Sequence, residues 1–191
     1  HASPRNLTVA RLLNAAGLAT VLFDLLTPAE AADRANVFDI GLLARRLVGA
    51  ARWVHGLPAL SALPLGLFGA STGAAAALWA ATEPGTDVAV VVSRGGRPDL
   101  AGPRLPRVLA PTLLIVGGLD TVVLDLNREA ISRMRCEARL TVVPGATHLF
   151  DEPGTLHAAA EAARDWFLAH LGASAPGDGR DAGPQWPDPG C

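Results

Sequence analysis

The 191-residue chain has no tyrosine, two cysteines and one methionine. It also has no lysine, since all 16 basic residues are arginines, and this excludes a lysine nucleophile or Schiff base. With abundant Ala, Arg, Gly and Pro, the pattern reads as the codon bias of a GC-rich genome. Cys136 and Cys191 are too few for a disulfide framework, and the histidines are too scattered to complete a zinc site, so neither a metal nor a cofactor is expected. Low cysteine use fits a reducing compartment, and cytoplasm is the expected location. No apolar run reaches the roughly twenty residues needed to span a bilayer. The first residues also lack the charged-then-apolar layout of a signal peptide. A formal net charge of -2 leaves no basic face for nucleic acid and no polybasic run for an anionic membrane, so neither partner is expected.

What the chain does have is apolar residues, 50% of the total, enough for the core of one domain. Pro4 is placed to open a helix that Gly17 stops near residue 16. The run 19–24 reads as a strand buried on both faces, and 27–37 as a polar connection with helical tendency. From Asp39 to about Gly56 the residues Leu42, Leu43, Leu47, Val48, Ala51 and Trp53 recur at near-helical spacing. Further strands are expected at 63–68, 86–92, 111–116 and 139–143, with helices at 72–81, 123–135 and 154–171. A Gly- and Pro-rich loop fills 93–98. Strands alternating with helices in this way predict an α/β fold, a mostly parallel sheet with helices on both faces. Residues 1–171 form its one domain, and 172–191, rich in Gly, Pro, Ala, Ser and Asp, reads as a disordered tail.

One stretch carries chemistry. Gly69-Ala70-Ser71-Thr72-Gly73 fits G-x-S-x-G, in which a serine on a strained strand-to-helix turn projects above a parallel sheet. The competing reading makes Ser71 or Thr72 an ordinary helix N-cap. Ligands of open parallel sheets bind beyond the carboxyl ends of the strands, and three expected strands end in chemically useful residues. After one lies Ser71, after another Gly117-Gly118-Leu119-Asp120, and after the last Pro144-Gly145-Ala146-Thr147-His148. Serine needs a base to take its proton during attack, and the base needs a carboxylate to hold its tautomer. Asp120 also reads as a turn residue and His148 as a surface histidine. The other histidines lie on predicted helices or, for His1, at the terminus. Asp125, Asp151 and Glu152 sit several residues from a strand end.

These segments, with Pro111-Thr112-Leu113-Leu114-Ile115-Val116 before the Gly pair and Leu149-Phe150 after His148, resemble the α/β-hydrolase superfamily in its dienelactone hydrolase-like branch. The likeness covers about residues 5–171 and is closer still to bacterial hydrolase-like domains joined to a phosphoribosyltransferase domain. It implies Ser71 as nucleophile, Asp120 as acid and His148 as base, acting on a small-molecule ester, lactone or thioester. Named dienelactone hydrolases carry cysteine where this chain has Ser71, so their lactone substrate is not implied. The backbone N–H of Thr72 is the expected oxyanion donor, and the second belongs to a loop that His1-Ala2-Ser3-Pro4 would end. The first three strands of that fold are missing, and the third would sit between 19–24 and 63–68. Together with a start at His1 and Met134 as the sole methionine, this predicts an N-terminally truncated piece whose parent carries a fused domain. Arg94 and Arg97 are candidate contacts for a substrate carboxylate or phosphate, with pairing to Asp99 as the alternative. A non-catalytic binding module remains the rival reading. Nucleotide binding fits poorly, because Gly66, Gly69 and Gly73 do not make G-x-G-x-x-G.

Overall fold

The structure is a computed structural model that describes residues 3–172, so the expected tail lies outside the described residues apart from Gly172. Helix α1 (Pro4–Ala15) begins with proline at its first turn and is followed by Gly17 at φ +85°, as expected from those two residues. Two short helices, α2 (Pro28–Ala31) and α3 (Arg34–Phe38), occupy the polar connection. The amphipathic segment is α4 (Ile40–His55), where the Asp39 carboxylate accepts the Leu42 N–H at 2.8 Å. Then follow β1 (Leu65–Ala70), α5 (Thr72–Ala80), β2 (Val88–Arg94), a 3-10 stretch (Pro98–Arg107), β3 (Thr112–Gly117), α6 (Thr121–Arg133), β4 (Ala138–Val143) and α7 (Thr155–Leu171).

The four strands are parallel in the order β1-β2-β3-β4. Side chains alternate across the sheet as strand geometry requires. Leu67 and Val91 face α4 and α5, whereas Val90, Val92, Leu113 and Ile115 face α1 and α7. Val90, Val91, Val92, Leu114, Ile115 and Val116 have no solvent exposure, which is why β2 and β3 read as continuous apolar runs. Burying each such side chain contributes about 1.5–3 kcal/mol. Helix α5 is alanine-rich because it is enclosed on every side, with Ala74, Ala75, Ala76, Ala77, Leu78 and Ala80 all fully buried.

Three expectations change. Residues 19–24 form no strand, and Val21, Leu22 and Phe23 are 47%, 41% and 44% exposed. A cavity of about 900 Å³ separates this segment from β1, so neither side has a ladder partner there and β1 is an edge of the described sheet. Trp53, expected on the apolar face of α4, is 58% exposed because its position falls beside the buried stripe of Leu43, Val48 and Ala51. Ser93 and Arg94, assigned to a loop, are the last residues of β2, and the loop's end continues as the 3-10 stretch. Pro103 and Pro106 within that stretch deny it the donors an α-helix needs.

Glu30 fastens the 25–46 region. Its carboxylate accepts the Thr27 N–H at 2.9 Å in a capping box and two Arg46 donors at 2.7 and 2.5 Å, while Arg46 also donates to the Leu25 carbonyl at 2.9 Å. The Arg46 bonds first, then those from Thr27, hold the Glu30 carboxyl down at about 2. Because the folded pKa lies below the ordinary 4.5, this stabilisation is complete above that value and is lost as pH falls toward 2. Thermal melts between pH 5 and 2 should show Glu30→Gln losing less stability on acidification than the parent over this window. Parallel curves would dismiss the assignment.

Candidate active site

Gly69 and Gly117 are the residues on which the site is built. A Cβ on Gly69 would lie 2.4 Å from the Gly73 carbonyl oxygen and 2.6 Å from the Ala74 backbone, so only glycine lets α5 fold back so tightly over β1. Ser71 occupies the turn at φ 52°, ψ −125°, a conformation that costs a non-glycine residue about 1–3 kcal/mol. It is held there by its own backbone. The Ser71 N–H donates to the Arg94 carbonyl at 3.4 Å, and the Ser71 carbonyl accepts from Ala74 at 3.1 Å and Arg97 at 3.1 Å. Its side chain makes no cap bond to the helix, which sets aside the ordinary N-cap reading. Thr72 is the first residue of α5, so its N–H has no intrahelical acceptor and stands at the positive end of the helix.

At the neighbouring strand end, a Cβ on Gly117 would meet the Ala146 and Thr147 carbonyl oxygens at 2.4 and 2.6 Å. Glycine there allows the loop after β4 to lie directly on the end of β3. The Gly118 N–H donates to the Val143 carbonyl and the Leu119 N–H to the Ala146 carbonyl, both at 2.9 Å. Asp120 and His148 are thereby brought together, and the His148 Nδ1–H donates to Asp120 Oδ2 at 2.7 Å. Asp120 makes no cap bond to α6, and its side chain is 15% exposed against 42% for His148. With the proton on Nδ1, Nε2 is left as a free base in the neutral ring.

The end of β2 joins the two halves. Gly95, at φ +51°, lies under the imidazole, since a Cβ there would be 3.8 Å from His148 Cε1 and 3.2 Å from the His148 carbonyl oxygen. The preceding carbonyl is the one that receives the Ser71 N–H. Nucleophile candidate and base candidate therefore rest on consecutive residues of one strand end. Among the described residues no hydrogen bond joins Ser71 Oγ to His148, a distance that commonly tightens only when substrate is bound.

Two supports escaped sequence reasoning. The Glu152 carboxylate accepts the Thr147 N–H at 3.0 Å and the Thr147 hydroxyl at 2.6 Å, which clamps the residue before His148 and lowers the Glu152 pKa. Asn127, fully buried on α6, donates through Nδ2 to the Gly96 carbonyl at 3.0 Å and to the Val123 carbonyl at 2.7 Å. Neither role has a motif; the pairing of Glu152 with a threonine five residues earlier is the only local signal. The two arginines part company. Arg97 makes a two-pronged pair with Asp99 at 2.8 and 2.7 Å, which raises its pKa and is the alternative pairing expected for it. Arg94 is buried, 6% exposed. Among the described residues no group of three or more His, Cys, Asp or Glu side chains is placed to hold a metal, and no helix is long and apolar enough to cross a membrane.

A four-stranded parallel sheet between two helical layers, with a strained serine at a strand-to-helix turn and an Asp–His pair on adjoining loops, is the layout of an α/β-hydrolase. A dienelactone hydrolase from Anabaena variabilis is 54% identical, with a TM-score of 0.84 over 88% of this chain and 80% of that one. The esterase domain of a Rhodothermus marinus protein shares the fold at 20% identity and a TM-score of 0.68, over 87% of this chain and 80% of that one. The chain belongs to the dienelactone hydrolase-like branch of the α/β-hydrolase superfamily, and among the described residues its sheet has no strand ahead of β1. Proteins from two strains of Mycobacterium tuberculosis, provisionally named phosphoribosyl transferases, are 60% identical over 169 residues. That match covers 88% of this chain, and the chain spans 38% of the length of those relatives. No protein-family model matches the chain.

The strain at Ser71 is measurable. Glycine relieves it at the cost of about 0.5–1 kcal/mol in chain entropy. Ser71→Gly is therefore expected to be about 1 kcal/mol more stable than Ser71→Ala in urea denaturation. Equal stabilities would mean that the turn stores no strain.

Proposed function

We propose that the chain is a serine hydrolase that cleaves an ester, lactone or thioester through an acyl-enzyme, with Ser71 as nucleophile, His148 as general base and Asp120 as its orienting acid. The observation that carries this reading is the 2.7 Å bond between His148 Nδ1 and Asp120 beside the strained Ser71 turn. His148 Nε2 takes the proton as Ser71 Oγ attacks the carbonyl carbon, and the tetrahedral oxyanion accepts the Thr72 N–H. As the intermediate collapses, the bond to the leaving group breaks and His148 Nε2–H returns its proton to that group. Water, deprotonated by the same nitrogen, then attacks the acyl carbon, and His148 Nε2–H gives its proton to Ser71 Oγ as the acid leaves. Asp120 stays ionised throughout and stabilises the imidazolium formed in each half.

The length of the Mycobacterium tuberculosis relatives supports a further part of the proposal, that this domain works as one portion of a larger polypeptide with a second, phosphoribosyltransferase-like domain. Cytoplasm is the proposed site of action. A binding module without turnover is the second reading, favoured by the single oxyanion donor among the described residues.

Labelling of the whole protein with a fluorophosphonate probe decides between the two. Ser71→Ala and His148→Ala should abolish labelling, and Asp120→Asn should lower ester turnover by about 10⁴-fold. A whole protein that neither labels nor turns over activated esters would favour the binding module.

A further inference from the structure

Asn127 is a polar residue on the stripe that α6 buries. The other buried residues of that helix are Val123, Leu124 and Ala130, and Asn127 itself has no solvent exposure. Two carbonyl oxygens face its side chain, those of Gly96 at 3.0 Å and Val123 at 2.7 Å, so the amide nitrogen is the atom turned toward them. Oδ1, on the other side of the amide, is buried with no hydrogen-bond partner. An apolar side chain would fill this place without leaving an unmet acceptor in the interior, which is costly. The Val123 carbonyl lies one turn earlier in the same helix, where backbone N–H groups supply donors. The Gly96 carbonyl has no such source, and among the described residues no backbone N–H donates to it.

That carbonyl shares a planar peptide with the Arg97 N–H, which donates to the Ser71 carbonyl at 3.1 Å. The Ser71 carbonyl in turn shares a planar peptide with the Thr72 N–H. Both peptides are trans, with N–H and C=O pointing in opposite directions, so anchoring the oxygen aims the hydrogen. Two peptide planes therefore run in series from Asn127 Nδ2 to the Thr72 N–H. The first plane follows Gly95, at φ +51°, and Gly96, a pair with ample freedom to rotate the peptide after it. No side chain on Gly96 could hold it, because a Cβ there would collide with Ser93 Oγ and the Ala74 Cβ. The donor has to come from another element, and α6 supplies it.

We propose that Asn127 is a positioning residue for the oxyanion donor: its bond to the Gly96 carbonyl sets the Gly96–Arg97 peptide, and through it the Ser71–Thr72 peptide, so that the Thr72 N–H faces the oxyanion. The proposal deepens the hydrolase reading and rests on Ser71 as nucleophile and Thr72 as donor. It also accounts for an amide rather than an acid at this place, since an ionised carboxylate would repel both carbonyls. Hydrogen bonds in series polarise one another, so the relay strengthens the Thr72 donor as well as aiming it. The Ser71 carbonyl also accepts the Ala74 N–H at 3.1 Å, so loss of the relay tilts the second peptide without freeing it. The effect is accordingly smaller than deletion of an oxyanion donor, which costs about 10²–10³ in kcat.

The test is Asn127→Leu in the whole protein, a swap of similar shape, with p-nitrophenyl butyrate as substrate and rates expressed per folded molecule. kcat should fall about 10- to 30-fold with KM within about twofold of the parent, because the donor acts on the transition state and not on the bound ester. The His148 titration in the pH profile of kcat/KM should stay where it is in the parent. Its bond to Asp120 does not pass through this peptide, and Gly95 beneath the imidazole is held by the Ile115 carbonyl at 2.7 Å. A lower melting temperature with kcat unchanged, or a kcat loss accompanied by a shifted His148 titration, overturns the proposal. Should Asn127→Leu fail to fold, Asn127→Ser carries the test. Its hydroxyl bonds back to the Val123 carbonyl but is too short to reach Gly96, so the same loss is expected and a parent-like kcat overturns the proposal. Fluorophosphonate labelling of the parent reports separately on Ser71. If the parent neither labels nor turns over the ester, the hydrolase reading fails, and hydrogen exchange decides the positioning role. Exchange at the Arg97 amide at least about tenfold faster in the variant, with the Gly118 amide unchanged, supports it; equal exchange overturns it.

Discussion

The site depends on two places where backbone meets backbone with no room for a side chain. At Gly69 the start of α5 presses against the end of β1, and at Gly117 the loop after β4 presses against the end of β3. Each contact is closer than any Cβ tolerates. The first forces the chain through the conformation that Ser71 adopts, and the second sets the height of the His148 loop so that its imidazole meets Asp120. Between these contacts the end of β2 serves both, through the Arg94 carbonyl on one side and Gly95 on the other. The glycines are thus requirements of close packing, and the chemistry follows from the packing.

Strain of this kind persists only where the surroundings over-determine it. Ser71 at φ 52° is fixed from three directions, by α5, by the end of β2 and by the Arg97 N–H from the following loop. Phe150, at φ 57° and 2% exposed, is fixed by burial in the cluster that includes Val92, Ile115 and Ala146. Helix α5 has almost no side chain to deform, and dense alanine packing holds the turn rigidly. The conformation of Ser71 draws on the free energy of the whole α4–α5–β2 layer, in which single buried aliphatic groups are worth about 1.5–3 kcal/mol.

Much of this layout is written locally. Apolar runs closed by Gly-containing turns mark β1, β2, β3 and β4, and a parallel sheet puts everything after such runs on one side, so that Ser71, Asp120 and His148 share one edge of the sheet is legible from position. What fails is whatever depends on distant neighbours. The run 19–24 has a strand's composition, yet strand formation requires a paired edge, and the strand that the resemblance puts between it and β1 is not among the described residues. Trp53 belongs to the apolar repeat of α4 but misses the buried stripe by its angle on the helix. The arginines show the division most clearly. Arg97 finds Asp99 two residues away, a pairing that is visible in the sequence. The burial of Arg94 is set by Asn6, 88 residues distant, and by Phe150 from another loop.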